Sequence, residues 1–189
     1  MIAPMTSPFR VLAFAGSLRK KSYNRALLRT AISLAPSSLA FETADFSDVP
    51  VYNGDVEAEG FPAPVQALRE RVAAADGLFI VTPEYNCSIP GAFKNTIDWI
   101  SRPPSQPFDG KPASIIGASI GDGGTMRSQV HWRQVAVNLN LHLLNRPEIF
   151  VRRAQDKFDA DGNLTDEALR TAVVKHMEAL AAWIAIFKK

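Results

Sequence analysis

Apolar residues recur in this chain with two rhythms. Residues 10–15, 77–81 and 113–119 are short, nearly continuous apolar runs, each closed by Gly, Pro or Ser. Such runs predict strands buried on both faces of a parallel sheet. Residues 41–46 alternate more weakly, and 146–151 contain Pro147, so both predict strands nearer an edge. Between them the spacing is helical. Ala26, Leu27, Thr30, Ala31 and Leu34 form one stripe, and Val65, Leu68, Val72 and Ala75 a second that Pro62 and Pro64 precede or open. Phe93, Thr96, Ile97 and Ile100 form a third, a helix is predicted over about 126–139, and a last one carries Leu169, Val173, His176, Leu180 and Trp183 behind a Thr165 cap. Residues 48–60 read as an exposed loop, 158–164 as a turn, and 1–9 as a loose leader before a single domain over 10–189.

Five strands alternating with helices over short connections imply a doubly wound, three-layer αβα domain. The parallel sheet is expected in the flavodoxin-like order 2-1-3-4-5. The loops after strands one, three and four then leave the same end of the sheet, where such folds bind ligands.

Composition narrows the function. With 47% apolar and 21% charged residues, 189 residues make one globular domain, and no apolar run reaches the length of a membrane span. The net charge is +2, with basic residues dispersed among acidic ones, so neither nucleic acid nor membrane is an expected partner. Cys87 is the one cysteine, which excludes an internal disulfide and fits a cytoplasmic protein. His131, His142 and His176 fall in predicted helices without ligand spacing, so no metal site is expected.

The three loops carry the candidate chemistry. In the first, Ser17, Ser22 and Asn24 offer hydrogen bonds and Arg19 a charge beside a helix N-terminus, a set suited to a phosphate monoester or simply to a capped helix. It has neither a three-glycine dinucleotide fingerprint nor a Walker pattern. In the second, Pro83 and Pro90 stiffen the stretch containing Glu84, Tyr85, Asn86, Cys87 and Ser88, which suits a flat ligand. In the third, Ser119, Gly121, Gly123 and Gly124 leave the backbone open to close approach. Arg127 and His131 lie one turn apart on the following helix.

The motifs Gly16-Ser17-Leu18-Arg19 with Ser22 and Asn24, Thr82-Pro83-Glu84-Tyr85-Asn86 with Ser88-Ile89-Pro90-Gly91, and Lys94-Asn95 with Asp98-Trp99 resemble the NAD(P)H-dependent FMN reductase family, which includes quinone- and chromate-reducing members. The likeness runs from about Arg10 to the end. It implies that Ser17, Arg19, Ser22 and Asn24 hold the FMN phosphate, that Pro83, Glu84, Tyr85, Asn86 and Ser88 line the ring, and that Ser119, Gly121, Gly123 and Gly124 close the third side. It also implies hydride transfer from NADPH or NADH to FMN, then electron transfer to a quinone, free flavin, chromate or azo compound. No catalytic side chain is required, because the flavin carries the chemistry. Arg102, Arg127 and His131 are candidates for NAD(P)H or substrate contacts, and a homodimer or homotetramer is the implied assembly. Where the resemblance implies tyrosine or another residue in many relatives, this chain has Cys87, expected as a small buried filler, with a redox reporter as the alternative. The competing reading is an FMN-binding electron carrier without NAD(P)H activity, whose usual acidic docking surface a chain at +2 lacks.

Overall fold

The computed structural model describes residues 7–188. The central strands are β1 (Phe9–Ala15), β3 (Gly77–Val81) and β4 (Pro112–Ala118), flanked on one side by β2 (Leu39–Ala44). With β5 (His142–Leu143) beyond β4, the order is β2-β1-β3-β4-β5, and every named pairing is parallel. This is the expected flavodoxin-like arrangement. Helices α1 (Tyr23–Leu34) and α6 (Glu167–Phe187) cover one face; α3 (Ala63–Ala74), α4 (Gly91–Ile100) and α5 (Met126–Leu139) cover the other. Successive residues of a strand face opposite sides, so Val11, Ala13 and Ala15 enter the α1/α6 core while Leu12 and Phe14 enter the α3–α5 core. Two buried faces explain why these strands read as unbroken apolar runs. No helix among the described residues is long and apolar enough to cross a membrane.

Five expectations need correction. The single last strand is two short ones, β5 (His142–Leu143) against the start of β4 and β6 (Phe150–Val151) against its end. His142 is therefore in a strand. Part of the expected 48–60 loop is helix α2 (Gly54–Glu59), which starts because the Asn53 side chain accepts the Asp55 amide and acidic Asp55 and Glu57 occupy its first turn. Asp166, not Thr165, caps α6 by accepting the Leu169 amide. The first strand begins at Phe9, inside the expected leader, whose residues 1–6 lie outside the described residues.

The 158–164 segment is a turn, as expected. Phe158 and Leu164 form a bridge, and the Asp159 carboxylate accepts the amides of Asp161 and Asn163 and the Asn163 side chain, which holds it below the usual carboxylate range. The connection after α4 is held from inside by Arg69. Arg69 is 6% exposed, and its guanidinium lies over the Phe61 ring and donates to the carbonyls of Ile100, Arg102 and Ser105. Its charge is dispersed over three peptide dipoles instead of a carboxylate.

Candidate functional site

At the carboxyl ends of β1, β3 and β4 the three loops meet around a cleft of about 220 Å³. Two glycines next to the lining residues are closely packed. A Cβ on Gly16 would lie 2.8 Å from the Phe93 ring and 3.0 Å from Pro83, and one on Gly117 would lie 2.1 Å from the Thr82 carbonyl oxygen. Side chains at either position would push the first and third loops away from the second.

The first loop is tied to both others. Ser17, 2% exposed, places Oγ 3.2 Å from the Tyr85 hydroxyl, and its carbonyl accepts from Arg25 Nε at 3.0 Å. Ser22 caps α1 by accepting the Asn24 amide at 3.1 Å, a bond that uses an oxygen lone pair and not the hydroxyl proton. Asn24 clamps the end of β4: Nδ2 donates to the Ala118 carbonyl at 2.8 Å, and Oδ1 accepts the Ala118 amide at 2.9 Å. Asn24 thus joins helix to strand at the cleft wall. Arg19 is exposed at the rim.

The second loop contains a tight hairpin. Tyr85 and Ser88 exchange both backbone hydrogen bonds, with Asn86 at φ 50° and Cys87 at φ 62° between them. Two successive positive φ values at the centre of a two-residue hairpin match a type I′ turn. Cys87 is exposed at this tip, so the buried-filler expectation is wrong: a turn that reverses the chain in two residues has no interior to fill. Tyr85 remains 45% exposed on the cleft side.

Glu84 turns toward α5. Its Oε2 accepts the amides of Arg127 at 2.9 Å and Ser128 at 3.1 Å, and its Oε1 lies 3.6 Å from the Arg127 guanidinium. Thr125, at the N-cap of α5, makes no side-chain cap bond, and Glu84 supplies that cap across the loop. The Ser88 hydroxyl meets His131 Nδ1 at 2.9 Å.

The structure therefore brings Ser17, Arg19, Ser22, Asn24, Pro83, Glu84, Tyr85 and Ser119 around one cleft. Asn86 is at the hairpin tip, and Ser88 faces His131. Gly121, Gly123 and Gly124 belong to the adjoining turn, beyond the lining. Gly124 has φ 61° and closely approaches Phe150, where a Cβ would lie 3.1 Å away. Arg127 is used by Glu84. Arg102 lies past the C-terminal end of α4, with Nε on the Asp98 carbonyl and the guanidinium over Tyr52, and is not among the lining residues. The sequence reading did not include Tyr23, Ala118 and Ile120 in the lining. Ile120 carried a signal, an apolar residue inside a polar glycine-rich loop, and it is 66% exposed.

These residues fit a phosphorylated flat ligand. Two buried hydroxyls stand beside the α1 N-terminus, Arg19 is at the rim without a partner among the described pairs, and the Tyr85 ring lines the same cleft. Among the described residues no group of three or more His, Cys, Asp and Glu is placed to hold a metal ion.

Comparison with known proteins gives a consistent result. Residues 9–156 match the sequence family described as NADPH-dependent FMN reductase. The chain is 50% identical over 180 residues to an NAD(P)H-dependent FMN reductase of Pseudomonas aeruginosa, covering 95% of this chain and 97% of the relative. It is 42% identical to a quinone reductase of Escherichia coli, covering 92% of each. Among solved structures, the flavoenzyme NAD(P)H:(acceptor) oxidoreductase FerB of Paracoccus denitrificans superposes with a TM-score of 0.86 at 34% identity, covering 95% of this chain and 98% of that one.

Proposed function

We propose, from the premise that this chain belongs to the NADPH-dependent FMN reductase family, that its cleft holds FMN and serves electron transfer from NAD(P)H to a quinone. FMN, when bound, supplies a ring that accepts a hydride and returns electrons to a second substrate. The chain's own residues bind, orient and shield it. The observation that carries the reading is the convergence of Ser17, Ser22, the α1 N-terminus, Arg19 and Tyr85 on one cleft.

Ser17 and Ser22 would donate their hydroxyl protons to the phosphate, with Arg19 adding charge. Asn24 would hold that loop at its distance from β4 without spending its amide on the ligand. Pro83 and the hairpin would set the ring plane, with backbone donors beside it to stabilise negative charge on the reduced ring. The sequence similarity to quinone reductases favours a quinone as second substrate, and free flavin, chromate and azo compounds are further acceptors to assay. A cleft of about 220 Å³ is below the size at which sites for drug-sized molecules usually begin, roughly 300 Å³. Together with the exposure of Tyr85 and Ile120, this supports a homodimer or homotetramer in which a second copy completes the cover.

The test is an anaerobic absorption spectrum of protein reconstituted with FMN, before and after NADPH or NADH, followed by a benzoquinone. Bleaching by a nicotinamide donor and recovery with quinone is the expected result. Flavin that binds and stays oxidised would indicate an electron carrier; failure to bind FMN would refute the assignment of the cleft. Replacing Ser17 and Arg19 together with Ala is expected to weaken FMN binding by at least about tenfold, the loss of two charge-assisted hydrogen bonds.

A further inference from the structure

The hairpin beside the cleft is fastened to one helix at both ends. On its entering side the Glu84 carboxylate accepts two α5 amides and faces Arg127; on its leaving side Ser88 Oγ meets His131 Nδ1. Arg127 and His131 are one turn apart on α5, so a single helix edge supplies both attachments. Between them the chain passes through two non-glycine residues at positive φ, a conformation that L-residues disfavour without outside support. The cleft-facing product of this arrangement is the Tyr85 hydroxyl, 3.2 Å from Ser17 Oγ.

We propose that α5 acts as a clamp on the cleft wall, with Glu84 and His131 as positioning residues that fix the 83–88 loop and, through Tyr85, set where a bound ring lies. The proposal rests on the cleft being an FMN site. Neither residue needs to touch the ligand. The Glu84 attachment is the stronger, because its side chain is only 11% exposed and it joins a full negative charge to the positive end of a helix. The His131 attachment is exposed and weaker. It tolerates either imidazole tautomer, since the serine hydroxyl can donate or accept.

The experiment is amide hydrogen exchange on FMN-free protein, paired with FMN binding by fluorescence quenching, for the wild type, Glu84→Ala, His131→Ala and His131→Asn. The Tyr85 and Ser88 amides close the hairpin and are the reporters; the Phe79 and Ile80 amides in β3 are the controls. Loss of either attachment should speed exchange at the reporters by about threefold or more, the size of one modest hydrogen bond, with unchanged controls and FMN binding weakened by a similar factor. His131→Asn, which keeps a polar atom where Nδ1 was, should restore both. Unchanged reporters, or reporters and controls rising together, would overturn the clamp, the second because it indicates general loosening. Wild-type protein that fails to bind FMN would overturn the cleft assignment and with it the ring-positioning role; exchange would still decide whether α5 holds the loop.

Discussion

Mild acid should find one weak point in this fold, and that point is His176. It is 1% exposed on α6 beside the Phe79 ring, and its Nδ1–H donates to the Pro147 carbonyl at 2.8 Å. Nε2 has no partner among the described groups. Burial makes the imidazolium costly, and the pKa falls from 6.5 to about 4 despite the opposing effect of the Pro147 bond. Between those values the unfolded chain binds the proton and the folded chain does not. The histidine's contribution is therefore fully present above about pH 6.5 and is lost as pH falls toward about 4. A separation of about 2.5 units corresponds to roughly 3 kcal/mol at its limit. Replacing His176 with Met removes the proton site and leaves the Pro147 carbonyl without its donor, a cost of about 1 kcal/mol at neutral pH. Below about pH 6 the order should invert, with the variant about 2 kcal/mol more stable than wild type near pH 4. Urea unfolding at pH 7, 5.5 and 4.5 measures both curves. Curves that remain parallel would refute the argument, because other titrating groups act on both proteins alike.

Two further predictions concern the backbone. Cys87→Gly removes a β-carbon from a residue at φ 62° in an exposed turn and should stabilise by about 1 kcal/mol, raising the melting temperature by about 3 °C in a scanning calorimeter. A decrease would show that the thiol makes a stabilising contact. Arg69→Met strips the donor from three carbonyls at once and should cost about 3 kcal/mol in denaturant unfolding; a loss under about 1 kcal/mol would mean that water replaces the guanidinium.

The sheet was legible because strands covered on both faces leave unbroken apolar runs. The helices were legible because each buries one stripe. Legibility failed where polarity had two meanings. Asp55 and Glu57 read as solvent-exposed loop, yet acidic residues behind an Asn cap also begin a helix. The last strand was obscured because its two halves are separated by a polar excursion containing Pro147. At the site, residue types identified the loops, while the partners depended on contacts 43 or 94 positions away. Glu84 could not be seen to cap α5, nor Asn24 to hold Ala118, from their neighbours in sequence. Arg102 follows the second loop closely in sequence, but α4 intervenes and its guanidinium sits over Tyr52, outside the cleft lining.

The interruption of the final strand bears on how these molecules behave when crowded. An exposed sheet margin with a long row of free amides and carbonyls is a template for another chain, and proteins guard such margins by shortening or bending them. Beyond β4 an incoming strand would find two residues of β5, then the 144–149 excursion, then two residues of β6. Neither stretch is long enough to fix a register. On the opposite margin the Arg71 side chain takes the Thr43 carbonyl of β2 and pairs with Glu42. Both borders of the sheet are thereby blunted against ribbon-like aggregation.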